Sequence, residues 1–288
     1  MHSVFRSGLF EGKVAIVTGG GTGIGKAIAR ELIYLGSKVV ISSRKEEKLL
    51  KAAVELSRYI QPSSSAEVKV IPCNIREEQQ VTKLVEETLA SYGKVDFLVN
   101  NGGGQFMSPV SNMSAKGWRA VVDTNLNGTF LCCKEVYRLW MSDNGGSIVN
   151  IIADMRKGFP GMAHTGAARA GVQNLTMSLA VEWIRNGIRI NCVTPGVIYS
   201  DTAAQNYADP ELFQKLRDKL PARRCGTTAE VAGAVTFLLS PAAAYITGTT
   251  IDVDGASSKV YASLFPSVAD HCSLSEYSWD EPSVKSKL

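Results

Sequence analysis

The chain has 288 residues, 45% hydrophobic and 20% charged, with a net charge of +4. That balance suits one large domain with a full core, and 26 glycines and ten prolines are too few for a fibrous or disordered chain. The small, scattered positive excess gives no footprint for nucleic acid, and suits instead an anionic ligand such as a nucleotide or an acyl-CoA.

Residues 1–10 lack the long apolar stretch of a secretory signal. No run approaches the about 18 apolar residues of a membrane span, so a soluble protein is expected. Residues 14–17 then read as a buried strand, followed by Thr18-Gly19-Gly20-Gly21-Thr22-Gly23-Ile24-Gly25 at the opening of a helix over 23–35. Ile24, Ala27, Ile28 and Leu32 share one face of that helix. Glycines let the backbone turn and approach a pyrophosphate closely, and the helix N-terminus supplies free N–H groups and a favourable dipole. Gly19, Gly21, Thr22, Gly23 and Ile24 are therefore the expected contacts of a dinucleotide.

The second strand, over 38–42, runs into Ser42-Ser43-Arg44-Lys45. An acidic residue here would bind the ribose 2′-hydroxyl of NAD. Hydroxyls and cations at Ser43, Arg44 and Lys45 point instead to the 2′-phosphate of NADP(H). A helix over 46–59, a polar loop at 62–65 and a strand over 68–71 come next, and Asn74 and Ile75 are placed near the adenine. The strand over 97–100 leads into Asn100-Asn101-Gly102-Gly103-Gly104, where Asn101, Gly102 and Gly103 allow close approach to the middle of the cofactor.

A helix over 118–141, a strand over 147–152, a long helix over 163–185, a strand over 188–193, a helix over 228–239 and a strand over 249–253 complete the alternation. Uninterrupted βαβ order with strands apolar on both faces means an α/β fold with a parallel sheet covered by helices, and ligands at the carboxyl ends of the strands. The segment over about 199–220 has few strand signals and is expected to be a substrate lid. Residues 259–288 are Ser-rich and are expected to wrap the surface or fray. The six cysteines Cys73, Cys132, Cys133, Cys192, Cys225 and Cys272 form no Cys-x-x-Cys pair, so buried reduced thiols and no metal site are expected.

Over residues 9–258 these motifs resemble the short-chain dehydrogenase/reductase family: Thr18 to Gly25, Asn100-Asn101-Gly102-Gly103, Asn125-Leu126-x-Gly128-Thr129-Phe130 and Pro195-Gly196, in that order. The resemblance implies a single-domain Rossmann fold, a doubly wound parallel sheet of about seven strands flanked by helices. It implies that Pro195, Gly196, the backbone of Ile198 and the hydroxyl of Thr202 lie beside the nicotinamide. It also implies that the long helices opening near Trp118 and Ala163 pair across subunits of a homo-oligomer, a tetramer.

In that family Ser, Tyr and Lys, with an Asn, form the usual active site. Asn125 matches the Asn. Ile152-Ala153 stands where the Ser should be, Thr165 where the Tyr should be and Arg169 where the Lys should be. Thr165 can donate a hydrogen bond but is too weak an acid to replace Tyr, and Arg169 can hold the ribose. Reduction of a ketone is therefore expected to be poor. Hydride addition to an enoyl thioester asks less, because the enolate oxygen needs only donors and the α-carbon can take its proton from water.

The sequence resembles most the 2-enoyl- and 2,4-dienoyl-CoA reductase branch of the family, through residues 100–106, 166–172 and 196–200 and the terminal Ser286-Lys287-Leu288. That tripeptide is an address read by the peroxisomal import receptor. The implied function is NADPH-dependent reduction of a trans-2-enoyl-CoA to a saturated acyl-CoA in peroxisomal fatty-acid metabolism. The alternatives are another reductase of the family, on a 2,4-dienoyl-CoA or a carbonyl compound, and a catalytically impaired NADP(H)-binding protein. The branch's displaced Tyr-x-x-x-Lys falls here on Gln173 and Met177. Asp154, His164 and Tyr199 are the other candidates for moving a proton, and Gln105 for binding the thioester. Lys45, Lys48, Arg223 and Arg224 are candidates for the CoA phosphates, and Ala203, Tyr207, Phe213 and Leu216 for the acyl pocket.

Overall fold

The computed structural model describes residues 3–155, 157–205, 209, 211–217, 219–259 and 274–279. Tyr207, Cys272 and Ser286 to Leu288 lie outside these residues. The short apolar runs form β1 (Val14–Thr18), β2 (Lys38–Ser42), β3 (Glu67–Val70), β4 (Phe97–Asn100), β5 (Gly146–Ile151), β6 (Ile188–Pro195) and β7 (Thr250–Val253). They make one parallel sheet in the order β3-β2-β1-β4-β5-β6-β7, as expected. The order reverses between β1 and β4, which opens a crevice at the carboxyl edge there.

Alternate residues of each strand feed the two faces. Ala15, Val17, Val39 and Ile41 pack under α1 (Gly23–Tyr34) and α2 (Glu46–Ser57), with residues of α10 (Thr228–Leu239) in the same core. Ile16, Val40, Leu98 and Ile148 pack on the opposite face under α3 (Glu78–Tyr92), α5 (Gly128–Val136) and α7 (Ala163–Trp183). β1 is buried at all five of its residues, as a strand covered on both faces must be.

The helix expected over 118–141 forms, but it is not α-helical throughout. α4 (Ala115–Val122) passes through a π-helical turn at Asp123–Asn127 into α5, and a second π turn at Tyr137–Met141 leads to α6 (Ser142–Asn144). An inserted residue in a π turn rotates the downstream helix about its axis, and such turns are common at functional sites. Apolar periodicity does not report it. The segment after β6 carries α8 (Asp201–Gln205) and α9 (Leu212–Arg217), with Phe213 buried against Tyr199 at 5.4 Å between ring centroids.

The described part of the tail follows the first of its two expected courses and lies against the surface. Residues 274–279 dock on α1 and the start of α10. Trp279 is 6% exposed and meets Tyr34 and Tyr59 edge-on, with the Arg30 guanidinium 4.6 Å from its ring centre. The Trp279 indole donates to Glu31 at 2.9 Å, the Tyr277 hydroxyl donates to the same carboxylate at 3.4 Å, and the Ser3 hydroxyl donates to its other oxygen. Glu31 is fully buried, and burial holds its carboxyl above the usual range despite these donors. Thr227, the cap of α10, also donates its hydroxyl to the Tyr277 carbonyl at 2.7 Å.

Candidate active site at the carboxyl edge of the sheet

The turn after β1 and the turn after β4 are tied together. The Thr18 hydroxyl accepts the N–H groups of Asn101 at 3.1 Å and Gly102 at 2.9 Å. The Asn101 side chain donates back to the carbonyls of Thr18 at 3.1 Å and Gly19 at 3.3 Å. Gly19 has φ +66°, and a Cβ on it would lie 2.7 Å from Asn101 Nδ2, so glycine is required by both conformation and space. Thr18 is not among the expected contacts; a hydroxyl at a strand end next to the glycines is the only sequence signal it carries.

Beside this turn α1 begins without neutralisation. Its N-cap, Thr22, makes no side-chain cap bond, and the first turn contains no acidic residue. The first N–H groups and the dipole are thus left for an anion. Gly21 and Gly23 border this start, and a Cβ on Gly23 would lie 3.5 Å from the Ser200 hydroxyl, so the loop after β6 reaches the same cradle. Ser42 Oγ, at the end of β2, is buried without a partner among the described residues, next to half-buried Ser43 and exposed Arg44 and Lys45. The Asn74 side-chain oxygen accepts the Arg76 N–H at 3.4 Å, and Ile75 packs toward Gly102, 3.1 Å from where a Cβ there would sit. Gly196 lies flush on β7: a Cβ would fall 2.7 Å from the Asp254 Cα. Ile198 bridges to Gly226, and Thr202 stands in the first turn of α8. Uncapped helix, glycine cradle and unsatisfied hydroxyl together fit a dinucleotide.

Asn125, Thr165 and Arg169 come together under the Gly102–Gly104 turn. The π turn carries Asn125, 3% exposed, so that its Oδ1 accepts the Gly104 N–H and its Nδ2 donates to the Gly104 carbonyl, each at 2.9 Å. The same Nδ2 donates to Thr165 Oγ1 at 2.9 Å. Arg169 donates to the Ile151 carbonyl at 2.7 Å and keeps a buried Nε without a partner among the described residues. Burial lowers its guanidinium to about 10, so it stays charged at neutral pH. A Cβ on Gly103 would lie 2.8 Å from Arg169 Nη2 and 2.9 Å from Asn125 Oδ1.

Other expected residues lie apart from this cluster. Gln173 donates to Thr250 on β7 at 3.2 Å and Met177 is 47% exposed, so the displaced positions face other surroundings. Arg224 is taken up by Glu230, at 3.0 Å through Nη1, and by the carbonyl of Ser275 at 2.9 Å. That corrects its expected role toward CoA phosphates, because its donors hold the tail and α10. Asp154 follows β5 and is half-buried, Gln105 is exposed, and Tyr199 is exposed with its hydroxyl 3.5 Å from Asp201. Burial pushes the Cys73 and Cys192 thiols up to about 11 and Cys133 to about 12, so these are packing groups rather than nucleophiles.

The family described as enoyl-(acyl carrier protein) reductase matches residues 19–257. The chain is 36% identical over 260 residues to a peroxisomal 2,4-dienoyl-CoA reductase of Danio rerio, covering 88% of this chain and 83% of that protein. It is 34% identical over 249 residues to a probable 2,4-dienoyl-CoA reductase of Bacillus subtilis, covering 85% and 96%. Among solved structures it is similar to the citronellol catabolism dehydrogenase of Pseudomonas aeruginosa, with a TM-score of 0.79 and 46% identity over 90% of this chain and all of that one.

Proposed function

We infer that this chain, which belongs to the short-chain dehydrogenase/reductase family of nicotinamide-dependent oxidoreductases, is an NADPH-dependent reductase of 2-enoyl-CoA thioesters. The observation that carries the reading is the Asn125, Thr165 and Arg169 cluster, which offers donors and a fixed positive charge but no phenol. Such a site suits an enolate oxygen better than an alkoxide that must be protonated at once. The relatives named as dienoyl-CoA reductases support an acyl-CoA substrate. Trans-2-enoyl-CoA is the substrate this donor set suits, with a 2,4-dienoyl-CoA as its extended form.

When bound, NADPH would supply a hydride to the β-carbon of the enoyl thioester and be left as NADP⁺, and the alkene pair would become an enolate whose α-carbon would take a proton from water. Gly19, Gly21, Thr22, Gly23 and Ile24 hold the pyrophosphate, and Ser43, Arg44 and Lys45 hold the 2′-phosphate. Asn74 and Ile75 border the adenine, and Asn101, Gly102 and Gly103 line the middle of the cofactor. Asn125 and Arg169 would place the nicotinamide ribose, and Pro195 and Gly196 would lie beside the nicotinamide, with the Ile198 backbone and the Thr202 hydroxyl at its carboxamide. Thr165 Oγ1 accepts from Asn125, and its own proton has no acceptor among the described residues, so it is available to the enolate oxygen. Asp154 orders the water that protonates the α-carbon.

Peroxisomal localisation through Ser286, Lys287 and Leu288 belongs to the same proposal, as does a homo-oligomer. Exposed Trp118, Phe130, Met177 and Val181 on α4, α5 and α7 support the latter. A second reading, a dehydrogenase of the citronellol-catabolism kind, is favoured by the 46% identity to that structure.

The test mixes purified protein, NADPH and a medium-chain trans-2-enoyl-CoA and follows absorbance at ~340 nm, with product identified by mass. Steady loss with saturated acyl-CoA supports the reading. Bound NADPH that is not consumed overturns it, and oxidation of citronellol with NADP⁺ in a parallel cuvette would establish the second.

A further inference from the structure

His164 is fully buried in the first turn of α7, next to Thr165. Its Nδ1 accepts the main-chain N–H of Thr165 at 2.9 Å, a donor it shares with the Met162 carbonyl at 3.0 Å. A ring nitrogen that accepts carries no proton, so the imidazole is the neutral tautomer with its proton on Nε2. Nε2 itself is buried and has no hydrogen-bond partner among the described residues. A buried N–H left unmade is unfavourable and uncommon.

The surroundings of the ring indicate its partner. Two loops from the carboxyl edge of the sheet wall it in, one after β4 and one after β5, joined where the Ser108 N–H donates to the Gly161 carbonyl at 2.7 Å. Phe106, from the first loop, meets the imidazole edge-on with 4.4 Å between ring centroids and is itself 40% exposed. Gly104, two residues before Phe106, is the residue clasped by Asn125. The second loop packs on the same turn of α7: a Cβ on Gly166 would lie 2.8 Å from the Phe159 Cβ. His164 thus stands one residue from Thr165, under a cover whose outer side is open to solvent.

We propose that His164 is a neutral hydrogen-bond donor to the thioester oxygen of the substrate, reached when the Phe106 ring swings aside. This role rests on the enoyl-CoA reading given above. His164 does not release its proton: losing Nε2–H from the neutral ring would leave an anion, so it acts by polarising the oxygen, and water remains the proton source. Thr165 Oγ1 and His164 Nε2, from adjacent residues, then share the developing negative charge that a Tyr would otherwise meet alone.

Two substitutions separate this role from simple helix capping. His164→Asn keeps an acceptor at the Nδ1 position and removes the donor at the ring tip. His164→Gln reaches the tip with an amide N–H and leaves the Thr165 N–H to the Met162 carbonyl alone, at 3.0 Å. If His164 is a donor, His164→Asn lowers kcat about 100-fold with KM for NADPH and melting temperature unchanged, and His164→Gln retains kcat within about tenfold. The reverse order of activities overturns the proposal.

A second readout is independent of turnover. The chain has three histidines, so ¹⁵N-histidine spectra assign His164 by its loss in His164→Asn. The expected pattern is a protonated Nε2 whose resonance moves on adding hexanoyl-CoA with NADP⁺. Turnover of enoyl-CoA with an unmoved Nε2 overturns the His164 contact and keeps the functional reading. A moved Nε2 without turnover keeps the contact and retires the reading.

Discussion

Asn125 Nδ2 lies 2.9 Å from Thr165 Oγ1, a bond between a π turn and the first turn of α7 that joins the two elements on which the candidate chemistry depends. The hydroxyl receives this donor and still has its own proton to give. Thr165→Val preserves shape and removes both functions. It should lower kcat about 100-fold while leaving NADPH affinity within about twofold, measured by the ~340 nm assay and by fluorescence titration of bound NADPH. A full rate in that variant would remove Thr165 from the site.

Gly103 is the tightest point of the cluster. A Cβ there would press on Arg169 Nη2 at 2.8 Å and Asn125 Oδ1 at 2.9 Å, both fixed by other bonds. Gly103→Ala should therefore displace the pair and cut kcat/KM by about 100-fold with little change in melting temperature. Arg169→Ala should abolish turnover and weaken NADPH binding at least about tenfold by fluorescence titration.

The proposed preference for the phosphorylated cofactor assigns the 2′-phosphate to exposed Arg44 and its neighbours Ser43 and Lys45. Arg44→Glu replaces attraction for the 2′-phosphate by repulsion. KM for NADPH should rise about 10- to 100-fold while KM for NADH falls or holds, in paired initial-rate measurements.

The fold was largely legible because each strand is a short apolar run and each turn after β1, β2 and β4 carries a glycine or polar signature in the right place. The site was legible in part. Asn125, Thr165 and Arg169 could be placed by register along their helices, and they do converge. What escaped was whatever depends on the third dimension alone. A π turn at Asp123–Asn127 leaves apolar spacing almost unchanged, and the commitment of Arg224 to Glu230 and Ser275 involves a partner 51 residues away. Trp279 reads as one aromatic in a Ser-rich tail, because the acceptor that defines its place, Glu31, is 248 residues distant.

Glu31 makes stability depend on pH in a stated direction. Its carboxyl is held above the value of 4.5 expected in an unfolded chain, so the folded state binds the proton more tightly. The associated stabilisation is complete below about pH 4 and is lost as pH rises through the folded-state value. Glu31→Gln lacks that ionisation. Its melting temperature relative to the parent should climb as pH rises above the unfolded value of 4.5, whereas a parallel pair of curves would show that Glu31 does not lose its proton over the range scanned.

Trp279→Ala should cost about 3 to 5 kcal/mol in urea unfolding, as a large buried aromatic lost from contact with Tyr34, Tyr59 and Arg30. The same variant should leave kcat nearly unchanged, since none of those contacts reaches the Asn125 cluster.

The carboxylate of Glu31 also closes the chain's path into a ring. It gathers Ser3 from 28 residues upstream and Trp279 from 248 residues downstream onto one group. The longer of these closures has the greatest entropic cost and forms after the sheet that brings its ends near. Because the two described ends meet at one side chain, a short peptide joining them would take a path the molecule already traces. The backbone could then be opened at another exposed turn, giving a circularly permuted enzyme whose crevice between β1 and β4 is undisturbed.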